Sequence, residues 1–353
     1  MFSNKAQIAV LASAALLLLA GGALFIAKAG APKLPPPAAT RPRPAAPAPQ
    51  AAPAAPAPQP VVAEKRADPG ESSRLALEWL TRTQSPDGGW RVETQGATLD
   101  DHVAASSLAG IAIVGTGQKP PKAACAWLER QTPTRTSAVA MQALFLAERA
   151  GMFKQRGRPA AEAALARLIA LQQKDGTWRE EGPDDLARIY YPTVWGVLAT
   201  KSAKFAGLKQ ADEALRLTHD TWAQSPAPQG TEALVCYHCT RAFLGWKKEE
   251  LLTKDLAQVL ATAPGPNADP RCFYARTLLA FQCEVLPKWL PHLEARLALQ
   301  GADGSFEGVG GLDRTTTTAL LTLSSEVALR FAALDPNAPP PRPTLAPDVP
   351  HDF

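Results

Sequence analysis

One phrase, Gln-x-x-Asp-Gly-small-aromatic, occurs three times in this 353-residue chain. The copies are QSPDGGW (84–90), QQKDGTW (172–178) and QGADGSF (300–306). The intervals between the three Gln residues are close to two and three units of about 43 residues, so the phrase predicts a repeat with degenerate copies between the clear ones. A repeat of this kind restricts the chain to a stack or a ring of similar units.

The repeat unit is predicted to be a pair of helices. Markers fall near positions 84, 131, 172, 224, 262 and 300, and each follows a helical stretch with charges on one face. A second stretch follows each marker and is apolar around most of its circumference, as buried helices are. No segment alternates convincingly with period two. The sequence therefore predicts an all-α domain of six outer and inner helix pairs, arranged as a closed ring or as a linear solenoid.

The chemistry of the phrase favours a structural role. Asp bonds to nearby backbone and Gly accepts a positive φ, so the Asp-Gly pair predicts a turn. The aromatic ring predicts a contact between neighbouring helices, and Gln a bond to free backbone groups at a helix end. The structural residues are Gln84, Asp87, Gly88, Trp90, Gln172, Asp175, Gly176, Trp178, Gln300, Asp303, Gly304 and Phe306.

Segments on both sides of the repeat have a different composition. Residues 8–26 carry no charge and are long enough, at about 28 Å, to cross the hydrocarbon core of a bilayer. We expect a single-pass membrane anchor within residues 1–30, although a small-residue site after the apolar run also fits a cleaved signal peptide. Residues 31–69 and 335–353 are rich in Pro and predict an extended linker and tail. The domain, residues 70–334, is expected outside the cytoplasm.

The net charge and the number of cysteines argue against two classes of protein, those that bind nucleic acid and those held together by disulfides. The net charge of +4 is small for this length, and no basic run is interleaved with aromatic residues, so no nucleic-acid partner is expected. Five cysteines, an odd number with uneven spacing, do not make a disulfide framework.

The repeated phrase resembles that of the prenyltransferase and squalene cyclase superfamily, in particular its membrane-anchored bacterial repeat proteins without an established function. The resemblance implies a six-pair α/α toroid for residues 70–334. Squalene-type cyclases protonate an alkene with an Asp-x-Asp-Asp run at an inner-helix start. The matching stretch here retains Asp100 and Asp101 but has Thr98 in place of the first Asp. Protein prenyltransferases hold zinc with an Asp-x-Cys pair, which is absent here.

The sequence patterns that would indicate a metal site or a thioester are incomplete or absent. Cys236 and Cys239 share one helix face, but His238 points away from both, so no metal site and no cofactor are predicted. The Gly-Cys-Gly-Glu-Gln run of thioester toroids does not occur.

In a ring, the N-termini of all inner helices surround one mouth. Helix N-termini and Arg residues favour anions there. The predicted ligand-binding residues of the mouth are His102, Arg135, Tyr191, His238, Arg271, Tyr274 and Arg314. The alternative is that these polar residues cap helix ends.

We expect a non-catalytic scaffold for a protein or lipid-like partner. The alternative function is an isoprenoid-processing enzyme using Asp100 and Asp101.

Overall fold

The computed structural model describes residues 67–153 and 157–334. The predicted anchor, most of the linker, and the tail lie outside this part of the chain and stay predictions. Within the described residues, no helix is both long and apolar enough to cross a membrane. The first helix begins at Pro69, where the side chain of Asp68 accepts a 2.8 Å hydrogen bond from the Glu71 N–H.

The described part of the chain is helical. Its α-helices are, in chain order, α1 (Pro69–Thr83), α2 (Leu99–Gly115), α3 (Lys122–Arg130), α4 (Thr136–Met152), α5 (Arg158–Ala170), α6 (Tyr191–Phe205), α7 (Ala211–Gln224), α8 (Thr231–Leu244), α9 (Lys248–Leu251), α10 (Lys254–Ala261), α11 (Pro270–Gln282), α12 (Leu286–Leu297) and α13 (Arg314–Leu334). A π-helical turn, Leu186–Tyr190, leads directly into α6.

Helices α2, α4, α6, α8, α11 and α13 form an inner set that contacts itself in a cycle. Contacts run from α2 to α4, α6, α8, α11 and α13, and α13 returns to α2. In α2, every residue from Val103 to Val114 is buried, whereas the outer helix α1 buries one face with Ala76, Trp79 and Leu80. The prediction of apolar inner and one-sided outer helices is confirmed for these elements.

The six predicted markers lie at outer-helix ends, as expected. Residues 84, 131 and 262 are the C-caps of α1, α3 and α10, and residue 224 is the last of α7. Residues 172 and 300 lie two and three positions beyond α5 and α12. The sequence predicted that each outer helix pairs with the inner helix that follows it. Four outer helices instead pack more on the inner helix that precedes them, namely α3, α5, α7 and α10. The connection after each marker carries the chain across to the next inner position.

Two side-chain bonds define each Asp-Gly turn. The Gln amide donates to the carbonyl of the Gly four residues later, at 2.8 Å for Gln84, 3.0 Å for Gln172 and 2.8 Å for Gln300. The Asp carboxylate accepts from the N–H two residues later; the distances are 3.2 Å for Asp87, 3.0 Å for Asp175 and 3.1 Å for Asp303. The predicted local role of Asp is confirmed, and Gln closes the same turn.

Glycine is required in these turns for two reasons. The φ angles of Gly88, Gly176 and Gly304 are +102°, +77° and +90°, a region that L side chains avoid. An added Cβ would also lie against a backbone carbonyl oxygen of the next outer helix. Those oxygens and their distances are Ala123 O in α3 at 2.2 Å, Leu217 O in α7 at 2.6 Å and Leu75 O in α1 at 2.4 Å. Each turn therefore seats directly on the neighbouring unit.

The third copy connects the end of the domain to its beginning. The Gln300 amide donates to the Ser72 carbonyl at 2.9 Å, and the Arg82 guanidinium donates to the Asp303 carbonyl at 3.0 Å. Helix α1 packs extensively on α13. The same turn that links neighbouring units therefore also links the last unit to the first.

The aromatic residue of each phrase anchors the turn to the helices. Trp90 and Trp178 are fully buried, and their indole N–H groups donate to the carbonyls of Leu80 at 2.7 Å and Leu168 at 2.8 Å. The backbone N–H of the aromatic residue donates to a hydroxyl on the following inner helix. These acceptors are Ser106 at 2.8 Å, Thr193 at 3.2 Å and Thr318 at 3.0 Å. A buried polar group without a partner is costly, so these bonds select the register of the inner helix.

Candidate ligand-binding site

A cavity of about 310 Å³ opens among the N-terminal ends of the inner helices. We call it the central cavity. Its deeper wall, called the floor, is formed mainly by Ala104, Leu108, Met141 and Trp195 from α2, α4 and α6. Its charged edge, called the rim, consists of Asp101, Arg135, Glu180, Arg271 and Asp313. The site is therefore apolar inside and charged at its opening.

The π-helical turn before α6 shapes one side of the cavity. Ala187, Tyr191 and Trp195 line it at intervals of four residues. The Tyr191 N–H bonds to the Leu186 carbonyl, one residue further back than in an α-helix. Pro192 follows and has no N–H to donate, which makes an irregular helix start easier to accommodate. The sequence predicted an inner helix here but not its π-helical entry.

Asp101 is held by a network within the domain. Its carboxylate accepts from the Thr98 N–H at 2.9 Å and hydroxyl at 2.8 Å, and from the Arg135 guanidinium at 2.7 Å. Thr98 in turn accepts from the Asp101 N–H, which completes a capping box at the start of α2. Partial burial favours a higher pKa for Asp101, but these bonds outweigh it, and the pKa lies below its usual value. The group is a carboxylate at neutral pH.

Asp100 bonds to the segment that leads into the neighbouring inner helix. It accepts from the Thr134 N–H at 2.8 Å, the Thr134 hydroxyl at 2.9 Å and the Arg135 N–H at 3.1 Å, just before α4. It is not among the residues that line the central cavity. The two Asp residues singled out as candidate catalytic groups thus bind α2 to α4.

The chain's own carboxylates occupy most helix N-termini around the cavity. Glu180 accepts from the Ser137 N–H at 2.9 Å at the start of α4, and Asp269 from the Arg271 N–H at 2.8 Å at the start of α11. Asp313 accepts from the N–H groups of α13, at 2.8 Å from Thr315 and 3.1 Å from Thr316. At these helix starts one or two N–H groups already have internal partners. The anion- or lipid-binding mouth stays a prediction.

Four of the predicted ligand-binding residues lie at or directly behind the cavity wall. Arg135 and Arg271 are on the rim, and Tyr191 lines the cavity. Arg271 forms a 2.6 Å ion pair with Asp269, and its guanidinium lies 4.5 Å from the centre of the Tyr191 ring. Tyr274 stacks on Trp195, with ring centres 6.0 Å apart and planes 17° apart, and so supports the floor from behind.

The other predicted residues lie elsewhere. Arg314 pairs with Asp303 at 2.8 Å and lies over the Trp79 ring, so it stabilises the third turn. His102 accepts from the Val92 N–H at 3.1 Å through Nδ1 and holds a loop. His238 is buried in α8, where burial and the nearby Arg241 lower its pKa to about 4. The structure does not bring these three side chains to the central cavity.

The cysteines of α8 and α11 form a buried group. Cys236, Cys239, Cys272 and Cys283 are free and buried, and burial raises the pKa of each thiol. Neutral thiols in such surroundings act as small apolar side chains. In residues 67–153 and 157–334 no group of three or more His, Cys, Asp or Glu residues has the arrangement of a metal site.

Sequence reasoning missed Glu180 and Asp313. Asp313 directly precedes the Arg-Thr run that opens α13, and an Asp at that point is an ordinary N-cap signal. Glu180 lies in an irregular loop and its partner is 43 residues distant in the chain. No local pattern indicates that contact.

Asp101→Asn is expected to reduce stability in a pH-dependent way. Since the folded-state pKa lies below the ordinary value of about 3.9, the carboxylate stabilises the fold above that pH, and this contribution disappears as pH falls through the folded pKa. Asn keeps an acceptor for the Thr98 N–H but loses the charge that pairs with Arg135, so a decrease of about 0.2–1 kcal/mol is expected at pH 7. Urea unfolding of both proteins between pH 3 and pH 7 checks this. A difference that stays constant over that range contradicts it.

Comparison with known proteins gives fold-level similarity alone. No family model matches the chain, and no curated protein matches it. Among solved structures, the apo type II terpene cyclase MstE from Scytonema is similar over 74% of this chain and 98% of its own, at 12% identity and a TM-score of 0.44. A protein from Actinoplanes is similar over 75% and 100%, at 15% identity and a TM-score of 0.42. Neither similarity assigns a family or an activity to this chain.

Proposed function

We propose that this domain is a six-pair α/α toroid of the prenyltransferase and squalene cyclase kind, acting as a non-catalytic scaffold that binds a lipid-like, isoprenoid-type ligand. The observation that carries the proposal is the central cavity, with its apolar floor and a rim whose charged groups already have partners. The cyclic contacts of the inner helices support the toroid. The sequence resemblance suggests the isoprenoid character of the ligand.

The size and lining of the cavity suit a small apolar molecule. Its volume of about 310 Å³ is at the lower end of the roughly 300–1,000 Å³ typical of ligand pockets. Leu108, Met141 and Trp195 offer aliphatic, thioether and aromatic surface. Burial of an alkyl chain against such surface is favourable by about 25 cal/mol per Å². Binding would therefore depend on the floor rather than on a charge pair.

The state of Asp101 supports a scaffold over a cyclase. Protonation of an alkene needs a carboxylic acid whose proton is available, and desolvation without a partner is what raises a carboxyl pKa. Asp101 instead pairs with Arg135 at 2.7 Å, and its pKa is lowered. Both oxygens of Asp100 accept hydrogen bonds from Thr134 and Arg135, just before α4. Asp101 is therefore not prepared to donate a proton.

Ligand binding is tested with farnesol and the detergent-solubilised full chain. We expect saturable binding by isothermal titration calorimetry and recovery of unchanged farnesol by mass spectrometry. Ala104→Leu places a larger side chain in the cavity and is expected to weaken binding about tenfold or more, since the overlap costs 1–3 kcal/mol.

The matched control is Ala263→Leu, which adds the same atoms at an exposed position away from the cavity. It should bind farnesol as the wild type does. Absence of saturable binding by the wild type, or equal binding by Ala104→Leu, would refute the cavity as the ligand site. Conversion of farnesol to a new product would refute the non-catalytic role.

A further inference from the structure

The rim of the central cavity has more negative than positive groups. It contains the carboxylates of Asp101, Glu180 and Asp313 and the guanidiniums of Arg135 and Arg271. Asp269, directly behind Arg271, adds a fourth carboxylate at 2.6 Å from that guanidinium. We propose that this rim excludes anions, so that the cavity selects an uncharged amphiphile over one ending in a phosphate or carboxylate. The inference rests on the proposed function and specifies the ligand class of the same site.

Both rim cations already have strong partners. Arg135 donates to Asp101 at 2.7 Å. Arg271 donates to both oxygens of Asp269, at 2.6–3.1 Å, and covers the face of Tyr191. An incoming anion would have to compete with these carboxylates for each guanidinium. Separating such a pair would leave a carboxylate with reduced compensation next to the new anion.

Four of the inner-helix N-termini also hold a carboxylate of the chain itself. A free N-terminus attracts anions through unpaired N–H groups, but at α4, α11 and α13 one or two of those groups donate to Glu180, Asp269 and Asp313, respectively. At α2 the capping box of Thr98 and Asp101 has the same effect. At these four helix starts, internal carboxylates already occupy part of the site that would attract an anion. What remains is the negative field of the rim above an apolar floor.

Two ligands with the same hydrocarbon tail separate the effect of ligand charge on affinity from the effect of hydrophobicity. Farnesol and farnesyl diphosphate differ only in the end group, and the solubilised full chain is titrated with each. We expect farnesol to bind the wild type at least about tenfold more tightly in low salt, an ordinary size for a local field effect. The ratio should decrease in 0.5 M salt, because screening shortens the range of the rim charges to a few ångströms.

The double variant Glu180→Gln with Asp313→Asn removes two rim charges and keeps their hydrogen-bonding roles. Asn is as good an N-cap as Asp, and Gln retains a carbonyl oxygen for the Ser137 N–H. We expect this variant to bind farnesyl diphosphate several-fold more tightly than the wild type does, so that the ratio of farnesol affinity to diphosphate affinity decreases.

The matched control is Glu213→Gln with Asp220→Asn, an equal charge change at exposed positions of α7 outside the cavity. It should leave the farnesol-to-diphosphate ratio at the wild-type value. Coincident unfolding transitions of the two double variants establish that each is folded.

Three results would overturn the inference. Diphosphate binding as tight as farnesol binding in the wild type would refute charge selection while leaving the binding scaffold intact. Equal ratios in the rim variant and the α7 variant would show that the rim carboxylates do not determine selectivity. Failure of both ligands to bind the wild type would refute the proposed function together with this inference.

Discussion

Replacement of Trp178 by Ala is expected to lower the free energy of unfolding by about 3–5 kcal/mol, the usual range for a fully buried Trp. The indole is completely buried and donates to the Leu168 carbonyl at 2.8 Å, at the end of α5. Its ring also lies against Gly196 of α6, where an added Cβ would be only 2.5 Å away. The substitution therefore removes the contact that holds the second clear turn between α5 and α6. Denaturant unfolding measures the change.

Two further variants separate packing from hydrogen bonding at this position. Trp178→Phe keeps most of the aromatic surface but removes the indole hydrogen bond. Since the Leu168 carbonyl still accepts from the Leu171 N–H at 3.2 Å, a smaller decrease of about 0.5–1.5 kcal/mol is expected. Trp246→Ala removes a half-buried indole that stacks on His219 and serves as the control. An equal loss in Trp178→Ala and Trp246→Ala would contradict a structural role specific to the repeated phrase.

Gly88→Ala is expected to destabilise the fold by about 2–5 kcal/mol. A positive φ costs an L residue about 1–2 kcal/mol, and overpacking adds about 1–3 kcal/mol. Both apply here, because φ is +102° and the new Cβ would lie 2.2 Å from the Ala123 carbonyl oxygen. Backbone on both sides must move to relieve this contact. Thermal and urea unfolding of the purified variant provide the measurement.

Gly245→Ala is the control for the contribution of φ. Gly245 has a φ of +107° but nothing within 4 Å of the added Cβ, so about 1–2 kcal/mol is expected there. The excess in Gly88→Ala then measures how tightly the turn seats on α3. If the two variants lose the same stability, the turn does not act as a contact between units.

The repeated phrase predicted more of the structure than any other feature of the chain. The hydrogen bonds that close each Asp-Gly turn join residues two to four positions apart, such as Gln84 to Gly88 and Asp87 to Gly89. Interactions of that range depend on local sequence and can be derived from it. The all-helical fold and the ends of the outer helices followed for the same reason. The π-helical entry to α6 did not, because nothing in the apolar pattern distinguishes it from an α-helical turn.

The candidate site was only partly predictable. The sequence located the inner-helix starts and named Arg135, Tyr191 and Arg271, which do line the cavity. It also named Arg314, whose guanidinium instead pairs with Asp303. The difference depends on the rotation of each inner helix about its axis. That rotation is set by packing against several neighbours and cannot be read from one segment.

By itself, the sequence determined that this chain forms helices in repeated units, joined by Asp-Gly turns in which only glycine fits. These properties follow from backbone sterics and from bonds within a few residues. The tertiary structure alone decided the electrostatics of the mouth. Asp100 bonds to residues 34 and 35 positions away, and Glu180 to one 43 positions away. Those contacts exist only once the inner helices are side by side, and they pair charged groups at the predicted mouth with other parts of the chain.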